Sequence, residues 1–198
     1  MRVTVLDYDA GNLHSLLKAL SAPGVLVRAE TDAQRAVDTD VLVLPGVGAF
    51  GAAAARLAPA RTALRDAISD GLPCLGICLG MQLLFDASEE GPGEGLGVIP
   101  GGVHRLHGRR VPQMGWNALE QRDDPLLDAS ELDVAYYANG YVCRPEDKCV
   151  VRALSVHDGE EFPAVVRVGR TVGVQFHPEK SSRAGLAFIR AFLEEARQ

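Results

Sequence analysis

No run of apolar residues in this chain approaches the roughly 20 that a membrane-spanning helix needs. A membrane partner is therefore not expected. Cysteine is scarce and badly spaced for metal: the four at 74, 78, 143 and 149 form no C-x-x-C pair and match no histidine spacing, which speaks against a zinc site. Positive charge is in deficit. With 20 Lys and Arg against 26 Asp and Glu the formal net charge is −6, so a nucleic-acid partner is not expected either. His104-Arg105-Leu106-His107-Gly108-Arg109-Arg110 is the only basic cluster, readable as a solvated loop or as a surface for a phosphate or an acidic partner. There is no phosphate-binding Gly-Lys-Ser/Thr, so no nucleotide or other cofactor is expected. Repeats and low-complexity tracts are absent. The start, Met1 to Asp7, meets an acidic residue too soon for a signal peptide, and a reduced, cytoplasmic setting is expected.

What remains is ordinary globular material: 198 residues, 47% hydrophobic and 23% charged, enough for one domain over 1–198 with a sizeable core. Apolar runs at 2–6, 25–27, 41–44 and 72–75 read as buried strands. Helical spacing links Leu13, Leu16, Leu17 and Leu20, with Asn12 as a cap, and helices are expected over 52–57, 61–69 and 182–197. This alternation indicates βαβ units and a mainly parallel sheet. From 98 to about 156 no helical periodicity shows, and short antiparallel additions to the sheet are expected. Strands at 164–168 and 171–176 read as a hairpin around Gly169.

The chain is organised around Gly76-Ile77-Cys78-Leu79-Gly80-Met81-Gln82. A nucleophile between glycines, after a strand and before a helix over Leu83-Leu84-Phe85, is a nucleophile elbow. Glycines permit the sharp turn, and the helix N-terminus favours an anion at the Cys78 sulfur. The N–H of Leu79 would then face the oxyanion of an attacked carbonyl. A small buried cysteine beside packing glycines is the alternative. Near the far end stands Val174-Gln175-Phe176-His177-Pro178-Glu179-Lys180. Pro178 stops regular pairing, and His177 and Glu179 lie two apart on an extended segment, facing one side. That spacing suits a base and the carboxylate that fixes its tautomer. A lone histidine at a strand end would be structural; together with the elbow, the catalytic reading is favoured.

Pro45-Gly46-Val47-Gly48-Ala49-Phe50-Gly51 follows the third strand, where ligands bind in parallel sheets. Gly46, Val47 and Gly48 read equally as a second wall of an oxyanion hole or as a plain strand-to-helix turn. Ser88-Glu89-Glu90-Gly91 offers a carboxylate for a ligand ammonium, or is a solvated loop. The single tryptophan, Trp116, is a core residue or an interface anchor.

These motifs, in this order and over nearly the whole length, resemble the class I triad-type glutamine amidotransferases, and within them the glutaminase subunits of imidazole glycerol phosphate synthase in histidine biosynthesis. VPQMGWN, with Met81 after Gly80, narrows the resemblance to those subunits. It implies an α/β, flavodoxin-like three-layer fold without cofactor. It implies Cys78 as nucleophile, His177 as base and Glu179 as its orienting carboxylate, with glutamine held by Gln82 (α-carboxylate) and Glu90 (α-amino group). Gly46, Val47, Gly48 and Leu79 would form the oxyanion hole, adopting its productive orientation only when the partner's site is filled. Ammonia would pass to a (β/α)8-barrel cyclase in a heterodimer, with Trp116, Asn117 and Lys180 facing that partner, giving imidazole glycerol phosphate and an aminoimidazole carboxamide ribotide. A glutaminase for another acceptor and a non-catalytic module that stabilises a cyclase are the alternatives. The chain departs from the resemblance at Gln113, where many members carry His, and at Asn139-Gly140-Tyr141, where many carry His-Ser-Tyr.

Overall fold

The computed structural model describes residues 1–8 and 13–198. The expected cap at Asn12 lies outside the described residues. The chain lays down β1 (Arg2–Leu6), α1 (His14–Leu20), β2 (Leu26–Glu30), β3 (Val41–Leu44), α2 (Phe50–Leu57), α3 (Arg61–Ser69), β4 (Cys74–Ile77) and α4 (Leu79–Gln82). There follow β5 (Ala87–Ser88), β6 (Gly101–Arg105), β7 (Gln113–Ala118), α5 (Pro125–Ser130), β8 (Val134–Asn139) and β9 (Tyr141–Pro145). The last elements are β10 (Val151–His157), β11 (Glu160–Val168), β12 (Thr171–Val174) and α6 (Ser182–Glu195).

Seven strands form one sheet in the order β10-β11-β12-β4-β3-β1-β2. The pairs from β12 through β4, β3 and β1 to β2 are parallel, and β10 and β11 add antiparallel strands. β3, β4 and β12 are buried at every residue. That is why they read as continuous apolar runs: strands covered on both faces show no alternation. The hairpin around Gly169 forms, with Val168 opposite Thr171. β2 is longer than its apolar run because it is the edge strand, where polar Arg28 and Glu30 are tolerated.

Four expectations are corrected. The middle stretch does contain a helix, α5; Asp124 caps it by accepting the Leu126 N–H at 2.9 Å, and six residues are too few to reveal a period. Only β10 of that stretch joins the main sheet; β6 and β9 pair with β5 in a second sheet, and β7 pairs with β8 in a third. Leu83-Leu84-Phe85 is not helical, because α4 ends after one turn. The carbonyls that would continue it are taken by distant donors: Leu83 accepts from Leu96 at 2.7 Å, and Leu84 from Val98 and Ile99. Glu179 sits not on an extended segment but in a single 3-10 turn, Pro178–Lys180.

One buried ion cluster ties the C-terminal half together. Arg167 on β11 makes a bidentate bridge to Asp124 (2.6 and 3.0 Å) and reaches Glu195 on α6 at 2.6 Å. Asp124 has no exposed side-chain surface, so removing Arg167 would strand a buried charge.

Candidate active site

Three neighbouring strands deliver three pieces of chain to one place. β3, β4 and β12 are adjacent and parallel, and at their carboxyl ends stand the Gly46-Val47-Gly48 loop, Cys78 and the segment Gln175 to His177. Ligands of such sheets bind there. Glycine is required at the elbow by close approach: a Cβ on Gly80 would lie 2.0 Å from the Leu44 carbonyl oxygen, and one on Gly76 would lie 2.7 Å from that of Gly80. Cys78 itself holds φ +49° and ψ −103°, a conformation that a residue with a side chain rarely adopts. Its N–H is tied to the Val174 carbonyl at 2.7 Å, so β12 is stitched to the elbow at the point where both strands end. Tyr8, buried, donates its hydroxyl to the Pro45 carbonyl and pins the start of the glycine loop.

His177 is 2% exposed and its Nδ1 lies 2.9 Å from Glu179 Oε1. Burial by itself would lower the imidazole pKa, but hydrogen bonds to Cys78 and Glu179 outweigh it and raise the pKa to about 9. The backbone around it is fully engaged. His177 N–H donates to the Tyr136 carbonyl at 2.8 Å, and its carbonyl accepts from the Ser181 hydroxyl at 2.7 Å. Glu179 Oε2 is buried and has no partner among the described residues.

A cavity of about 220 Å³ opens over the thiol, lined by Gly46, Val47, Gly48, Cys78, Leu79, Gln82, Glu90, Ala138 to Tyr141, His177 and Lys180. Every expected nucleophile, base, oxyanion and glutamine residue except Glu179 lines it, and Glu179 reaches it through His177. Two have prior commitments. Gln82 Nε2 donates to the Tyr141 carbonyl (3.3 Å) and to Gln175 Oε1 (3.4 Å), so only its carbonyl is free to meet a ligand, as an acceptor. Glu90 Oε2 accepts the Phe50 N–H at 2.9 Å, at the start of α2. Of the residues expected to face a partner, Trp116 and Lys180 are exposed, but Asn117 is not beside Trp116. Successive strand residues face opposite sides, and the Asn117 amide is turned inward, donating to the Val156 carbonyl at 2.9 Å.

Sequence reasoning passed over Gln175. It is fully buried, and its Nε2 lies 3.4 Å from Cys78 Sγ. Its only signal was a polar residue in an apolar strand next to His177. Beyond Trp116, the outer face of the antiparallel β7–β8 pair was also unforeseen. Met114 opposes Ala138, Trp116 opposes Tyr136, and Ala118 opposes Val134. Met114, Trp116 and Val134 are 66%, 55% and 45% exposed, while Trp116 and Tyr136 meet edge to face at 6.1 Å.

A thiol at a strand-to-helix turn, beside an imidazole held by a carboxylate and open to a small polar cavity, is the arrangement of nucleophilic acyl transfer. Residues 4–196 match the sequence model of the family described as glutamine amidotransferase class-I. The chain is 41% identical over 203 residues to the imidazole glycerol phosphate synthase subunit HisH of Gloeothece citriformis, covering 98% of this chain and 96% of that protein. It is 43% identical to the subunit of the same name from Halobacterium salinarum, covering 97% and 92%. Among solved structures, one described as a glutamine amidotransferase superposes with a TM-score of 0.77 at 22% identity, covering 99% of each chain. PurLQS from Thermotoga maritima gives 0.71 at 21% identity, covering 98% of each. These two likenesses concern the fold.

Proposed function

The chain belongs to the class-I glutamine amidotransferases, and from that premise we propose that it is the glutaminase half of an imidazole glycerol phosphate synthase, working through Cys78, His177 and Glu179. The observation that carries the reading is the convergence of the Cys78 thiol and the His177–Glu179 pair over one cavity at the ends of β4 and β12.

The steps follow from the geometry. Cys78 sulfur attacks the side-chain amide carbon of glutamine while His177 holds the thiol proton. The oxyanion forms against the N–H of Leu79 and the Gly46-Val47-Gly48 loop; losing one such donor costs roughly 10²–10³ in rate. His177 gives its proton to the departing nitrogen, ammonia leaves, and a γ-glutamyl thioester remains on Cys78. Water then attacks the thioester, His177 takes a proton from it, and glutamate is released. The sum is glutamine plus water giving glutamate plus ammonia. Gln82, with its amide nitrogen already committed, accepts from the substrate's α-ammonium rather than donating to its carboxylate, and Glu90 stands on the same side of the charge balance.

The acceptor of the ammonia is a barrel-shaped cyclase subunit, and the exposed β7–β8 face of Met114, Trp116 and Val134 is its docking surface. Aromatic and Met side chains are enriched at such contacts. Names of the relatives as synthase subunits support a partner of this kind. A backbone link runs from that face to the site, because Tyr136 packs on Trp116 and its carbonyl holds the His177 N–H. The pair then makes imidazole glycerol phosphate and an aminoimidazole carboxamide ribotide in the cytoplasm.

The test is glutamate release from glutamine, by this chain alone and mixed with a cyclase barrel and its ribulosyl nucleotide ligand. Strong stimulation in the mixture supports the whole reading. Activity indifferent to the barrel would keep the glutaminase and assign another acceptor. No release in either would leave a non-catalytic module.

A further inference from the structure

The two buried glutamine side chains beside the thiol form a relay with a defined direction. The Tyr141 carbonyl can only accept, so it fixes which end of the Gln82 amide is nitrogen. That nitrogen also donates to Gln175 Oε1 at 3.4 Å, which in turn fixes the Gln175 amide. Its remaining end, Nε2, is thereby turned to Cys78 Sγ at 3.4 Å. Rotating the Gln82 amide would set its carbonyl against that of Tyr141, rotating the Gln175 amide would set donor against donor at Gln82 Nε2, and both residues are buried, Gln175 completely. The backbone adds rigidity: Gln175 N–H is held by the Ala164 carbonyl at 2.9 Å.

A side chain buried at such cost in freedom and desolvation asks for a reason, since an apolar residue would pack the end of β12 without needing partners. From this directed relay we propose that Gln175 is a further catalytic residue of the site: its amide N–H donates to the sulfur of Cys78 and stabilises the thiolate. The inference rests on Cys78 being the nucleophile. The S–H proton is not placed on Gln175, which offers only a donor there; the thiol proton points instead toward the Ala138 carbonyl, 3.9 Å away, or toward His177. When that proton moves to His177, the sulfur gains charge. The Gln175 N–H then becomes a charge-assisted hydrogen bond, stronger than the one it makes to the neutral thiol. Gln175 therefore favours the attacking form and the thiolate that departs when the thioester is hydrolysed. It touches no part of glutamine, so it acts on the chemical step and not on substrate affinity. Gln82 is the positioning residue that orients it.

The experiment measures alkylation of Cys78 by iodoacetamide against pH, alongside glutaminase kinetics, in the full chain and in Gln175→Met and Gln175→Glu. Methionine matches the length and volume without a donor. Loss of a hydrogen bond to a charged group should move the alkylation inflection up by about one to two pH units. It should lower kcat about 10-fold or more while KM stays within about twofold. Glutamate keeps the acceptor for Gln82 but sets a carboxylate against the sulfur, so its inflection should move up at least as far. If Gln175→Met fails to fold, Gln175→Glu decides alone. An unchanged inflection in either folded variant, or a loss carried by KM, overturns the proposal. Failure of the underlying reading would look different: Cys78→Ala would still release glutamate, whatever the alkylation profiles show.

Discussion

Cys74 and Cys78 stand at the two ends of one strand and live in opposite chemistries. Cys74 opens β4 in the middle of the sheet, fully buried between β3 and β12, and burial pushes its thiol up to about 12. Cys78 follows the last residue of β4, where the chain turns under a positive φ, and it meets the Gln175 amide, the His177 imidazole and a cavity. The residue type is the same and the distance along the chain is one strand. What differs is that the sheet interior offers a thiol no hydrogen-bond donor and no water, whereas the ends of parallel strands offer loops, donors and space. Reactivity here is a property of position in the sheet.

The sharpest way to break this contrast is to remove each sulfur in turn. Cys78→Ala should lower glutamate release by at least about 10³-fold while ammonia-dependent synthesis by the partner survives, and Cys74→Ala should stay within about threefold of the parent. Equal losses in steady-state assays would erase the distinction. Labelling of the native chain comes next. With its thiol near 12 against an ordinary 9.0, Cys74 should alkylate roughly 10³-fold more slowly folded than in denaturant, which mass mapping over time would read.

A smaller effect separates the ends by pH. Because His177 is held up to about 9 in the folded chain against an ordinary 6.5, its bonds to Cys78 and Glu179 stabilise the fold fully below pH 6.5. That stabilisation is lost as pH rises through about 9. Calorimetry across this window should show the melting temperature of the parent falling more steeply than that of Glu179→Gln, which lacks the carboxylate partner. Parallel curves would remove Glu179 from the account. The smallest expected change is Cys74→Ser, which buries a hydroxyl in an apolar place and should cost about 1–3 kcal/mol of stability with glutaminase activity intact. A serine variant that keeps stability but loses activity would contradict the inert reading of Cys74.

The parts of the site that could be read in the sequence are those with a local signature. Gly76 and Gly80 announce the elbow because backbone passes within van der Waals distance of both. His177 and Glu179 announce themselves by spacing, even though the turn that joins them is 3-10 and not extended. What stayed hidden depends on partners far along the chain. The helix expected over Leu83 to Phe85 is stopped by N–H groups from Leu96, Val98 and Ile99, which no local pattern reveals. Asn117 turns away from Trp116 because strand alternation places it against β10, a strand whose position the local sequence does not show. Gln175 has no motif; only the fold brings its amide to the thiol. The central parallel sheet was legible because buried strands must be apolar throughout, and the three-sheet division of the middle was not, because short half-exposed strands carry no such demand.

The most direct test of the central claim is to find where the glutamyl group goes. The chain, turning over glutamine beside its partner, is quenched in acid, and the peptide holding Cys74 and Cys78 is fragmented in a mass spectrometer. The account predicts a γ-glutamyl thioester on Cys78 and none on Cys74, absent altogether in Cys78→Ala. A glutamyl group on any other residue, or turnover of glutamine by Cys78→Ala, would contradict it.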